Sequence, residues 1–203
     1  MSLPSGGSGP AGGAGLARLI GESFRDPAGV ARELLDMRLT RQVLWPGIAL
    51  VAILNALVAG IPAGGTIQPI AEGMVALSPI TFAFIVGAAL VIFVFALHYG
   101  GRAIGGEGDF TGALTTVLWT EVMSVVLGLG QLVLALVIPP VLIFTAIAAI
   151  ILQFWIMLHF INETHRFGSL MKSFMLIVGL GFAILIGGTV VISAISILLG
   201  APL

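Results

Sequence analysis

A single carboxylate, Glu121, stands inside an apolar stretch of about 50 residues that runs from Gly112 to Ile161. It lies about nine residues into that stretch, roughly 13 Å along a helix. An ionisable group at such depth in a bilayer costs on the order of 2.5–3.5 kcal/mol on insertion scales, so it is expected to face other helices and find a partner. Ser124, Gly128 and Gln131 follow Glu121 at intervals of three, four and three, which puts all four on one helical face. Two chemistries suit this stripe. It could be a protonatable site that couples the movement of an ion or a substrate. It could also be a hydrogen-bonding seam between helices, with Glu121 protonated or paired to Asn55, Gln153 or an arginine. No apolar stretch contains a basic residue, which favours the seam.

A second polar group lies at the end of the same stretch. His159 and Glu163 share a face at i, i+4, with His165 and Arg166 just beyond; His98, Arg102, Glu107 and Asp109 precede Gly112. Histidines with carboxylates can ligate a divalent cation. No spacing here matches His-Glu-x-x-His, so interfacial anchors and ion pairs are the expectation, with no metal and no cofactor. The glycines Gly100-Gly101 and Gly105-Gly106-x-Gly108 suggest a phosphate loop, yet no strand precedes them and no Gly-Lys-Ser/Thr follows. They are read as a tight hairpin tucked between the N-terminal helices, with Asp109 capping the next helix and Phe110 opening it. Nothing places a nucleophile beside a base, so no catalytic residue is assigned and the chain is not expected to be an enzyme.

The elements that must position these residues follow from composition. Hydrophobic residues make up 59% of the chain and charged residues 8%, against about 45–50% and 25% in soluble domains. Nine of the charges precede residue 42. So few charges cannot coat a soluble protein, and the clustered basic residues of a nucleic-acid binder are missing, so no nucleic-acid partner is expected. With no cysteine, disulfides and thiolate chemistry are excluded. The chain reads as an all-α polytopic membrane protein. Lipid requires backbone polar groups to be satisfied within each span, so the apolar runs become helices. Five are expected, over about 42–61, 80–97, 112–138, 141–161 and 174–199. Pro139-Pro140 divides the long stretch, because two prolines remove two N–H donors and disfavour helix at the preceding residue.

Residues 1–15 are Gly, Ser, Pro and Ala and read as a flexible tail; no apolar run follows that would make a signal peptide. Residues 16–41 hold two amphipathic helices, about 16–25 and 27–40. Leu16, Leu19, Ile20 and Phe24 form one apolar face, and Val30, Leu34 and Met37 the next, started by Asp26-Pro27 as cap and first turn. They either lie in the membrane interface or cap the bundle. Residues 42–200 form the membrane domain. If the N-terminus is cytoplasmic, all eight basic residues fall on the inner side, which is the positive-inside pattern and puts the C-terminus outside. Trp45 suits an interfacial belt, whereas Trp119 and Trp155 are expected between helices. Gly179, Ala183 and Gly187, and Ala83 with Gly87, make small-residue faces suited to close packing or self-association.

Phe24, Asp26 and Pro27 before five crowded spans, the loop from Gly100-Gly101-Arg102 through Gly105-Gly106-Glu107-Gly108-Asp109-Phe110, and Ala113-Leu114 with Trp119 form a recognisable pattern. Over roughly residues 24–199 the chain resembles the bacterial branch of the Yip (Ypt/Rab-interacting) membrane-protein family, in which a glycine-rich loop opens the third span. The resemblance implies a five-span protein of the inner membrane. Eukaryotic relatives are implicated in vesicle traffic, bind small Rab-type GTPases and carry a long acidic cytoplasmic domain. This sequence has no counterpart to that domain, so small-GTPase binding is not expected and no residue is assigned to it. The leading expectation is a non-enzymatic scaffold or organiser of lipids and membrane proteins, with the bilayer, other membrane proteins or a second copy as partners. The alternatives are a small transporter or channel subunit using the Glu121 stripe and, last, a membrane-embedded metalloenzyme using His159 and Glu163.

Overall fold

The computed structural model describes residues 13–61, 64 and 76–199. Two short helices, α1 (Gly13–Ser23) and α2 (Pro27–Asp36), precede five long ones: α3 (Arg41–Gly60), α4 (Pro79–Ala103), α5 (Phe110–Val137), α6 (Leu142–His165) and α7 (Leu170–Leu199). All five long helices are long and apolar enough to span a bilayer, and no strand occurs among the described residues. The chain is a multi-pass integral membrane protein. The predicted flexible tail lies mostly outside the described residues, and α1 begins at Gly13, three residues earlier than expected.

Local chemistry explains the ends. Asp26 accepts a hydrogen bond from the Gly29 N–H at 2.8 Å and Pro27 occupies the first turn of α2. Ser78 caps α4 through the Thr81 N–H at 3.1 Å. Asp109 caps α5 as expected, accepting from Gly112 N–H at 2.7 Å. The double proline forms a single 3-10 turn, Pro139–Val141, between α5 and α6. Three of the spans outrun their predicted boundaries. α4 continues six residues to Ala103, α6 four residues to His165, and α7 starts at Leu170. Polar residues at a membrane interface remain helical because the i→i−4 hydrogen bonds do not depend on side-chain polarity.

The spans pack around Leu44, Ile48, Val94, Leu97, Leu114 and Val117, with Ile161 of α6 and Leu176 of α7 closing the core. α3 and α5 approach closely at two glycines. A Cβ on Gly47 would meet Leu118 at 2.8 Å, and one on Gly128 would meet Val58 at 2.7 Å. The periphery of the spans is largely apolar, with Phe84 76%, Phe144 73% and Leu136 86% exposed, a surface that only lipid tails or another membrane protein would tolerate. Ala83 and Gly87 belong to an apolar groove between α3 and α4. The small residues of α7 behave differently: a Cβ at Gly179, Gly181, Gly187 or Gly188 would meet nothing within 4 Å, and residues 181–190 are exposed on every face, so this stretch with its small-residue face stands clear of the bundle.

α1 and α2 turn their apolar faces onto α5 and α6. Leu19, Val30, Ala31 and Leu34 are buried against Trp119, Met123, Ile156 and Phe160, while Arg18, Arg25 and Arg32 point outward. The cap alternative therefore describes the buried side of both helices. Trp119 is buried as expected, and its Nε1–H donates to Ser23 Oγ at 2.9 Å; Ser23 Oγ in turn donates to Leu19 O. Trp155 is half-buried, against His159. Trp119→Phe keeps the ring packing but removes that donor from a buried site. It should lower stability by about 1 kcal/mol, read as a lower unfolding midpoint in detergent, with earlier proteolysis near Ser23.

Candidate functional site

The intramembrane stripe resolves into two joints. Asn55 on α3 donates through Nδ2 to Glu121 Oε2 at 2.9 Å, and Ser124 Oγ donates to Asn55 Oδ1 at 3.3 Å. Of the three partners predicted for Glu121, Asn55 is the one in contact. Gln131 lies too far along the helix to join them; its Oε1 accepts from Thr145 Oγ1 of α6 at 3.0 Å. Gln153 instead bonds the Thr120 carbonyl across α5 and α6, Nε2 to O at 2.7 Å. Ser124, Gly128 and Gln131 also line a groove between α5 and α6 that opens to the side. Each polar group thus ties one helix to the next. Such bonds in membranes average about 0.6 kcal/mol and reach about 1.7 kcal/mol.

His159 and Glu163, placed together by spacing, serve different contacts. His159 stacks edge-on against Trp155 at 5.0 Å, and Glu163 Oε1 takes a hydrogen bond from Arg32 of α2 at 3.0 Å. That pair pins α2 to α6. Among the described residues no three His, Asp or Glu side chains converge as a metal set would.

The glycine-rich loop has a role its sequence did not reveal. His165, the last residue of α6, is completely buried, and the loop closes over its imidazole. A Cβ on Gly101 would fall on the ring itself; one on Gly106 or Gly108 would lie 2.8 or 2.6 Å from Nδ1. Phe167 stacks on the other side, ring centroids 5.2 Å apart, and the Glu107 N–H donates to the His165 carbonyl at 3.0 Å. Three glycines are therefore what leaves room for one histidine. The loop is tucked against the α6–α7 turn and not, as expected, between α1 and α2. His98, near the end of α4, is also buried, edge-on to Phe110 at 5.7 Å. Nδ1 of His98 and both ring nitrogens of His165 have no protein partner. In the sequence His165 stands out only as a neighbour of His159, since no periodicity links it to glycines about sixty residues away.

Beside this cage lies a polar cavity of about 610 Å³ at the same end of the bundle, walled by the α2–α3 link, the glycine loop and the end of α6. Its lining includes Gly108 and Asp109 together with Arg38, Arg41 and Arg166. Arg38 and Arg166 are the only two non-glycine residues with positive φ among the described residues, at 47° and 52°. That conformation costs an ordinary L-residue about 1 kcal/mol or more, and at helix ends glycine is the usual occupant.

The geometry is that of a bundle of five spans with a glycine-loop latch and two N-terminal capping helices. The profile of the Yip1 domain matches residues 21–192. The chain belongs to the Yip1 domain family. Comparisons with curated proteins and with solved structures gave no significant match. The Yip1 match begins in the last turn of α1 and ends within α7, so it takes in all of α2, the glycine loop, the first four spans and most of the fifth.

Proposed function

We propose that this Yip1-domain protein is a non-enzymatic scaffold of the cytoplasmic membrane that organises lipids or other membrane proteins, with its arginine-rich end inside the cell. The observation that carries the reading is the occupation of Glu121. The one carboxylate inside a span, the candidate for ion coupling, is hydrogen-bonded by Asn55, which itself holds Ser124. A group committed to fixing α3 against α5 is a poor candidate for a proton carrier that must change partners. The orientation draws support from the placement of all eight basic residues before α3, at its first residue, or around the α4–α5 and α6–α7 connections. The outward small-residue face of α7 around Gly179, Ala183 and Gly187 offers a partner helix close approach, either from another membrane protein or from a second copy.

The test is flux. Protein reconstituted into vesicles with a trapped pH indicator should dissipate an imposed pH gradient no faster than protein-free vesicles, and Glu121→Gln should behave identically. Rapid dissipation by the native protein that disappears in a folded Glu121→Gln variant would overturn the scaffold reading in favour of a transporter.

A further inference from the structure

The polar cavity at the arginine-rich end holds the two arginines that break the backbone rule for their positions. Arg38 follows α2, with its N–H bonded to the Leu35 carbonyl at 3.2 Å, and Arg166 ends α6 with its N–H on the Glu163 carbonyl at 3.4 Å. Each sits where glycine would close the turn without strain, as Gly168 does two residues beyond Arg166 with φ of 62°. The chain keeps a guanidinium at both, and both line one cavity. Strained backbone at two positions that line one cavity marks it as a candidate site.

The charges around the cavity sharpen what they are wanted for. Of its four carboxylates, Glu163 is held by Arg32 at 3.0 Å and Asp109 is occupied by the Gly112 N–H at 2.7 Å. Glu107 makes only a loose, exposed ion pair with Arg166, at 3.8 Å, which an incoming anion can replace, and Asp36 ends α2 at the surface. Among the described residues Arg38 has no hydrogen bond or ion pair to any side chain. Arg41 is steadied over the Phe110 ring, 4.9 Å from its centroid, with Nε 3.5 Å from Thr111 Oγ1. Arg41 also opens α3, and Thr40, which precedes it and makes no side-chain cap, lines the same cavity, so the positive end of that helix borders it.

We propose that this cavity binds a phosphate group, clamped by Arg38 and Arg166 and seated against Arg41 at the start of α3. Each guanidinium presents a planar fork of N–H donors that suits phosphate oxygens, and a helix start supplies further N–H donors. The phosphate can belong to a lipid headgroup, since the cavity lies at the end of the bundle where α3 and α5 begin and α6 ends, or to a soluble phosphate compound. The site stands whether or not the bundle is a scaffold, because binding needs neither a partner nor a gradient.

Binding is to be measured on the full chain in a non-ionic detergent, using inorganic phosphate in one arm and dioctanoyl phosphatidylglycerol in the other. The informative variant is Arg38→Gly/Arg166→Gly, which relaxes both turns and so should fold at least as well as the native chain. It should lose about tenfold or more in affinity, the loss expected when a charge-assisted hydrogen bond is removed. Arg102→Gln, a basic residue of the same end outside the cavity, should bind as the native chain does. Saturable binding of the lipid alone makes the source a headgroup; binding of inorganic phosphate, with or without the lipid, makes it a free phosphate. The proposal is overturned if neither probe binds, if the double glycine variant binds like the native chain, or if Arg102→Gln weakens binding equally.

Discussion

Gly101→Ala is expected to destabilise the protein by about 2 kcal/mol, the scale of overpacking a filled interior. The added methyl would fall on the His165 imidazole, a ring already enclosed by Gly106, Gly108 and Phe167. Neither side can yield easily. Gly101 is part of α4, and His165 is fixed by the Glu107 N–H bond to its carbonyl and by its place at the end of α6. His165→Ala should itself cost about 2 kcal/mol through the void it leaves, less whatever is recovered by removing two ring nitrogens that lack partners. The decisive variant is the double one. With the ring gone, the methyl added at position 101 has space, so Gly101→Ala/His165→Ala should be about as stable as His165→Ala alone. That corresponds to a coupling of about 2 kcal/mol between residues 64 positions apart in sequence. Additive costs, read from unfolding midpoints in one detergent, would mean that the loop glycines serve something other than the histidine.

The same loop shows what a sequence discloses and what it withholds. The five spans are legible because lipid leaves the backbone one solution and demands long apolar runs. The caps at Asp26 and Asp109 are legible because capping is a local match between a side chain and an N–H three residues on. Span ends read from composition fall too early, at Leu97 and Ile161, since composition registers where lipid ends and not where the helix does. The cage around His165 depends on α4 meeting the end of α6, and no local pattern encodes that meeting. Asn55 as the partner of Glu121 is one of three possibilities in the sequence, because the choice rests on the register of α3 against α5. That register is set by close approach at Gly47 and Gly128. Arg38 and Arg166 give no turn signal at all, arginine being an ordinary helix residue that rarely adopts left-handed backbone.

The second large effect concerns the bond between Asn55 and Glu121. Asn55→Leu removes the donor and leaves a carboxyl group inside the bundle without its partner, for a loss of about 1–2 kcal/mol, the upper part of the range for such bonds in membranes. Glu121→Met takes away the acceptor, but Asn55 keeps Ser124, so its cost should fall near the lower end, about 1 kcal/mol. When both polar groups become apolar residues of similar shape, nothing is left unsatisfied, and such replacements are often neutral or stabilising. The flux test separates scaffold from transporter, whereas this pair tests the premise beneath both: that the intramembrane polar residues are joints between helices. The most direct measurement is therefore the unfolding free energy of the native chain, the two single variants and Asn55→Leu/Glu121→Met in the same lipid–detergent mixture. The double variant is predicted to be at least as stable as Asn55→Leu and close to the native chain. A double variant that loses the sum of the two single costs would contradict the account, because the two residues would then not be acting on each other.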